Sequence, residues 1–213
     1  MILYGSSLSP FVRKTMIAGA EKGIAFEHKQ LPPGADDPGF CAASPFGKIP
    51  ALSDGDFDIC DSTAILTYWE ALHPETPLLP AEPRARARTI WYEEFGDTIL
   101  IGATLPIFFN MFVARMVGRE PDMAAADKAR TETLPPVLDY IESVMPESGH
   151  LIEDRLTIAD IAVICPLQNA SYCGVAIDDP ARPKLAHFFT SMNARPSIAP
   201  IIAANRKMLH LTE

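Results

Sequence analysis

The chain opens on an apolar run, Met1-Ile2-Leu3-Tyr4, that stops at Gly5, and an amphipathic stretch follows as far as Gly23. The run predicts a buried strand, residues 5–8 a turn, and Pro10 onward a helix. Ser9 falls where an N-cap belongs and Pro10 at N1, where a missing N–H is harmless. Residues 24–31 part-alternate, Phe26 against Glu27, His28 and Lys29, and predict a second strand. The composition of 32–39, Pro-Pro-Gly-Ala-Asp-Asp-Pro-Gly, is that of a loop, with room for a short irregular helix at 40–43. Pro50 stands at the head of an apolar strand, Asp54-Gly55 signals a hairpin turn, and 57–60 returns. Asp61-Ser62-Thr63 then caps a helix with apolar positions at Ala64, Ile65, Tyr68, Trp69 and Leu72.

The next stretch, 73–83, carries Pro74, Pro77, Pro80 and Pro83 and reads as a linker. Beyond it the periodicity is helical only. Residues 84–117 form a long helix, apolar on more than one face, with Pro106 as an expected kink; 123–145 form a second, disturbed by Pro135-Pro136. Leu156-Thr157-Ile158-Ala159-Asp160-Ile161 has the form of a capping box, Thr157 capping and Asp160 reaching back. The helix behind it, to Tyr172, is almost wholly apolar, which makes it the expected centre of the second half. Residues 185–194 and 198–209 complete the helices. The pattern therefore predicts an α/β half at 1–75, a linker at 76–84 and an all-helical half at 85–213.

Composition narrows the partners. The chain has 213 residues, 48% hydrophobic and 21% charged, enough for one large folded domain or two small ones. A net charge of -9 argues against nucleic acid or an anionic membrane, which need a basic face. The most apolar stretch, 99–114, is short for a bilayer and is expected to be a core helix. Cys41, Cys60, Cys165 and Cys173 show no C-x-x-C spacing and no histidine at ligand spacing, so neither a metal nor dithiol chemistry is expected. The strand at the N-terminus has no signal-peptide pattern, and the expectation is a cytoplasmic protein with free thiols.

Ser9 carries the candidate chemistry. A helix that opens at the end of a strand points free N–H groups and a partial positive charge at one spot. A hydroxyl there either caps the helix or meets an anion.

Three short signals coincide in order and spacing: S-P-F-V-R-K at 9–14, G-K-I-P-A-L at 47–52 and D-S at 61–62. With the proline-rich linker and the L-T-I-A-D-I of an all-helical half, the whole chain resembles a serine-type cytosolic glutathione transferase. The resemblance implies a thioredoxin-like N-terminal domain, a helical C-terminal domain, a homodimer and glutathione as co-substrate, without a metal. Ser9 matches the serine that holds the glutathione sulfur. Ile49-Pro50 matches a cis-proline site whose preceding backbone pairs with the cysteinyl part. Asp61 and Ser62 match the acidic-serine pair at the γ-glutamyl end, Asp61 toward the ammonium and Ser62 with the helix N-terminus toward the carboxylate. Lys48 is the local cation for the glycyl carboxylate. The resemblance places the electrophile pocket between the domains, walled by Phe11, Leu105, Phe108, Phe109 and Phe112, with Leu8, Tyr172 and Met208 as further candidates. Asp97 would approach the partner subunit's ligand.

The energetics suffice for transfer to a small hydrophobic electrophile. A hydrogen bond to a charged acceptor contributes about 1.5–3 kcal/mol and a helix N-terminus about 0.3–2. At about 1.36 kcal/mol per unit, these lower a thiol pKa near 8.5 by roughly one to three units. Ser9 then has only to donate to S⁻. Tyr4, Ser6 and Ser7 are the alternative donors. Arg13 and Lys14 are expected to be solvated or domain-bridging. A peroxidase, isomerase or dehalogenase would use the same thiolate, and an interaction protein of the same fold would need none of this set.

Overall fold

The computed structural model describes residues 1–211, which divide into two compact units, the first Met1–Leu79 and the second beginning at Pro80. In the first, the elements run β1 (Ile2–Tyr4), α1 (Pro10–Lys22), β2 (Glu27–Lys29), α2 (Pro38–Ala43), β3 (Ala51–Asp54), β4 (Phe57–Cys60) and α3 (Ser62–Leu72). The sheet order is β2-β1-β3-β4, with β1 parallel to β2 and antiparallel to β3, and β3 antiparallel to β4. Strand alternation sends neighbours to opposite faces. Leu3 joins Ile24, Leu52, Ile65 and Trp69 on one side, while Tyr4 joins Phe40, Ala43 and Ala51 on the other. The second strand is shorter than its pattern predicts, 27–29 in place of 24–31, because Ile24 packs as core and the ladder begins only at Glu27.

The proline-rich stretch is tied down at its start. Lys22 donates to Thr76 O at 2.7 Å and pairs with Glu70 at 2.8 Å, and Glu70 Oε1 accepts the N–H groups of Leu78 (2.9 Å) and Leu79 (3.0 Å). Residues 76–79 thus belong to the first unit, and the boundary falls at Pro80.

The second unit begins with one continuous helix, Pro83–Met116, built of α4 (Pro83–Glu94), a π segment (Phe95–Leu100), α5 (Ile101–Phe108), a second π segment (Phe109–Val113) and α6 (Ala114–Met116). At 34 residues the whole helix is long enough to cross a membrane, although the apolar stretch 99–114 is only part of it. Its inner face is nonetheless protein core: Phe95, Leu100, Ala103, Ile107 and Phe108 are buried, while Ile99 and Leu105 are exposed. Pro106 lies inside α5, and Asn110 Nδ2 donates to its carbonyl at 2.8 Å. Next come α7 (Met123–Lys128), a π segment (Ala129–Thr133) and α8 (Leu134–Val144). Pro135 and Pro136 lie inside this unbroken helical run, where they have no N–H to give the turn before, and the π segment Ala129–Thr133 stands directly ahead of them, the disturbance expected of them. Last are α9 (Ile158–Tyr172), α10 (Pro183–Asn193) and α11 (Ala199–Met208). Every residue of α9 from Ile158 to Ala170 is buried, and the unit is packed around it. Gly96 allows the close approach: a Cβ there would lie 2.7 Å from Ala162 O.

Candidate functional site

The register of the sheet gathers three loops at one end. Tyr4, the last residue of β1, pairs with Ala51, the first of β3, and Ala51 pairs with Cys60, the last of β4. The turn after Tyr4, the peptide before Ala51 and the residues after Cys60 therefore emerge together. Two contacts close the set: Asp61 N–H donates to Pro50 O at 3.2 Å, and the Gly5 backbone lies so near Ile49 that a Cβ on Gly5 would stand 3.0 Å from the Ile49 Cβ. At φ +137°, Gly5 also has a backbone that side-chain-bearing residues rarely adopt.

Ser9 is half-buried at the mouth of α1, with an extended backbone, and its hydroxyl makes no cap bond to the helix. Its own N–H closes a β-turn to Ser6 O at 2.9 Å, and its carbonyl accepts from Arg13 N–H at 3.0 Å as the first helical bond. The Ile49–Pro50 peptide bond is cis. Lys48 is exposed, and its carbonyl accepts from Ser44 Oγ at 2.7 Å.

Asp61 is the N-cap of α3. Its Oδ1 accepts from Thr63 N–H at 2.9 Å and Ala64 N–H at 3.1 Å, leaving those bonds independent of Oδ2. The backbone there has φ 86° and ψ 132°, a sparsely populated conformation of the kind found where surrounding structure over-determines a residue. Ser62, directly after it, is buried. Because Asp61 already occupies two N–H groups of the first turn, less of the helix end is open to a ligand carboxylate than an uncapped helix would offer.

Other candidates stand as follows. Tyr4 is 2% exposed on the α2 side, where its hydroxyl would lie 2.5 Å from a Cβ on Gly39. Arg13 and Lys14 correct the expectation of solvated cations: both are fully buried, Arg13 Nη1 donating to Ser7 O at 3.2 Å and Lys14 Nζ reaching Thr63 Oγ1 at 3.5 Å. Nothing in the helical spacing signals this, since the partners are a carbonyl in the preceding turn for Arg13 and a hydroxyl of α3 for Lys14. In the second unit Phe108 is buried with its ring 5.5 Å from that of Phe112, Phe109 and Phe112 are half-buried, and Leu105 is exposed; Phe11 is half-buried in the first unit. A cavity of about 590 Å³ in the second unit is lined by Asn193, Ala199, Ile202, Arg206, Lys207 and Leu211, none of them a candidate for the chemistry. Burial pushes the Cys173 thiol up to about 12, which makes it unreactive near neutrality. Among the described residues, no group of three or more His, Cys, Asp or Glu side chains is placed to hold a metal.

The chain is similar to known proteins over most of its length. Residues 3–77 match the family model "Glutathione S-transferase, N-terminal domain" and residues 108–204 match "Glutathione S-transferase, C-terminal domain". The chain is 33% identical to Glutathione S-transferase 3 of Zea mays, over 95% of this chain and 93% of that one. It is 30% identical to FtsZ-localized protein A of Caulobacter vibrioides, over 94% of this chain and 90% of the other. A crystal structure of a glutathione S-transferase from Methylobacterium radiotolerans, in complex with glutathione sulfonate, superposes with a TM-score of 0.77 at 27% identity, covering 94% of this chain and 93% of that one.

Proposed function

We propose that this chain, which belongs to the glutathione S-transferase family, binds glutathione at the clustered loops of its N-terminal unit and transfers the thiolate to a small hydrophobic electrophile. The observation that carries the reading is the Ser9 hydroxyl: it stands at the mouth of α1 and makes no cap bond, so it is available to donate to a sulfur anion. The neighbouring groups suit a γ-linked tripeptide. Asp61 Oδ2 faces the ammonium, the Ser62 hydroxyl and N–H the adjacent carboxylate, the Ile49 backbone the cysteinyl peptide, and Lys48 the glycyl carboxylate. The helical unit supplies apolar surface for the electrophile from Leu105, Phe109 and Phe112, with Phe108 buried against the Phe112 ring.

The test is calorimetric titration with glutathione, followed by turnover of a chloronitroaromatic. Micromolar to millimolar binding with turnover is expected. Asp61→Asn separates capping from recognition, since asparagine keeps an oxygen for Thr63 and Ala64 and tolerates a positive φ. It should weaken glutathione binding about 10-fold, the scale of one hydrogen bond to a charged group, with little loss of stability. Unchanged affinity would place the γ-glutamyl end elsewhere.

A second reading, a glutathione-transferase-like interaction protein, is favoured by the likeness to FtsZ-localized protein A. Absence of glutathione binding would select it.

The chain assembles as a homodimer in the first reading. Each unit leaves apolar and complementary charged groups exposed: Phe46 (88%) with Asp56 and Asp58 in the first, Trp91 (49%) with Arg84, Arg86 and Arg88 along α4 in the second. Sedimentation is expected to return twice the single-chain mass, and Phe46→Asp to shift it toward the single chain.

A further inference from the structure

The turn that carries Ser9 is gripped by a side chain outside the residues assigned above. β1 and β2 run parallel with Tyr4 opposite Lys29, and the ladder continues one step further, Gly5 N–H donating to Lys29 O at 3.0 Å. At the next position a side chain replaces the backbone. Gln30 Oε1 accepts from Ser7 N–H at 3.1 Å, and Gln30 Nε2 donates to Ser6 Oγ at 2.8 Å. Ser6 Oγ also accepts from Leu8 N–H at 3.4 Å, and Ser6 O accepts from Ser9 N–H at 2.9 Å. One primary amide thus holds both residues at the start of the β-turn that ends on Ser9.

We propose that Gln30 is a positioning residue for the Ser9 hydroxyl, fixing the turn so that the hydroxyl meets the glutathione sulfur at hydrogen-bonding distance. The proposal rests on the assignment of Ser9 as donor to the thiolate. The grip has an inner and an outer side. Inside, Arg13 Nη1 donates to Ser7 O at 3.2 Å and His28 Nε2 to Gly5 O at 2.8 Å, contacts made by buried or half-buried groups of α1 and β2. Outside, Gln30 is exposed, so it can be replaced without opening a cavity in the core. Ser7, by contrast, is 5% exposed, and its N–H would lose this acceptor. A hydrogen bond from a hydroxyl to a sulfur anion weakens steeply once its angle falls below about 120°, so a loosened turn acts on the thiol.

Gln30→Met keeps the length and removes both contacts. Four readouts on the full chain decide the question: the thermal midpoint, the glutathione dissociation constant, kcat with a chloronitroaromatic, and the pKa of the bound thiol from thiolate ultraviolet absorbance. The dissociation constant is expected to change by less than about 2-fold. A loss of about 3- to 10-fold in kcat at neutral pH should accompany a rise of about 0.5 to 1 unit in the bound thiol pKa, the size of one net hydrogen bond. Ser6→Ala removes the other end of the same contact and should shift that pKa in the same direction. An unmoved pKa and kcat in both variants would overturn the proposal, and so would weaker binding with the pKa unmoved, which would make Gln30 a ligand contact. If the wild-type chain itself leaves the bound thiol at its free value, the Ser9 assignment fails first and this proposal falls with it.

Discussion

Ser9→Ala is expected to lower turnover by about 10- to 100-fold while glutathione affinity and stability stay near wild type. The size follows from one hydrogen bond to a charged acceptor, about 1.5–3 kcal/mol, converted at about 1.36 kcal/mol per tenfold. Stability should hold within about 0.5 kcal/mol, because the hydroxyl makes no cap bond that the substitution could break. The pH profile supplies the sign. Losing the donor raises the pKa of the bound thiol, so at saturating glutathione the rising limb of kcat/KM for the electrophile moves to higher pH and the variant approaches wild type in alkali. Unchanged turnover would pass the role to another hydroxyl. Ser6 is then the nearest candidate, because Tyr4 is buried against α2 and packs with Phe40.

Asp160→Ala should cost about 3–5 kcal/mol of stability, seen as a lower urea midpoint with the helical signal of the second unit as probe. The Asp160 carboxylate is fully buried. Oδ1 accepts from Leu151 N–H at 2.8 Å, and Oδ2 accepts from Thr157 N–H at 2.8 Å and Thr157 Oγ1 at 3.2 Å. Alanine would strand two backbone donors in residues that water barely reaches, at about 1–3 kcal/mol each, one of them the reach-back bond of the capping box that opens α9. Since α9 lies at the centre of its unit, a frayed first turn cannot be confined to the surface. A loss below about 1 kcal/mol would show that other groups take over these donors. The short arm of Asp, a weaker choice than Glu in a capping box, reaches fully here because the preceding loop brings Leu151 and Thr157 to the same carboxylate.

Local chemistry accounts for much of the architecture. Proline at N1, the Asp54-Gly55 turn, the Asp61 and Thr157 caps and the apolar run of α9 are each decided within a few residues, so strand, hairpin and helix positions could be read in order along the chain. The cluster of Ser9, Ile49-Pro50 and Asp61-Ser62 was legible only as three ordered motifs. Their meeting depends on the pairing of Tyr4 with Ala51 and of Ala51 with Cys60, which joins residues far apart in sequence. Where the sequence pattern misled, contacts outside the local element were responsible. Arg13 and Lys14 look like surface cations but are buried, because a carbonyl and a hydroxyl wait for them inside. Residues 76–79 look like free linker but are pinned by Lys22 and Glu70.

Alternation, capping and turn residues in the 213 amino acids specify which segments become strands and helices, because those preferences act over one or two turns of chain. Which side chains face one another across the sheet is set by register and burial: Gln30 beside Ser6 and Ser7, Asp61 beside Pro50, Gly5 against Ile49. Those pairings form only when separated segments share one buried space, so no short window of sequence contains them.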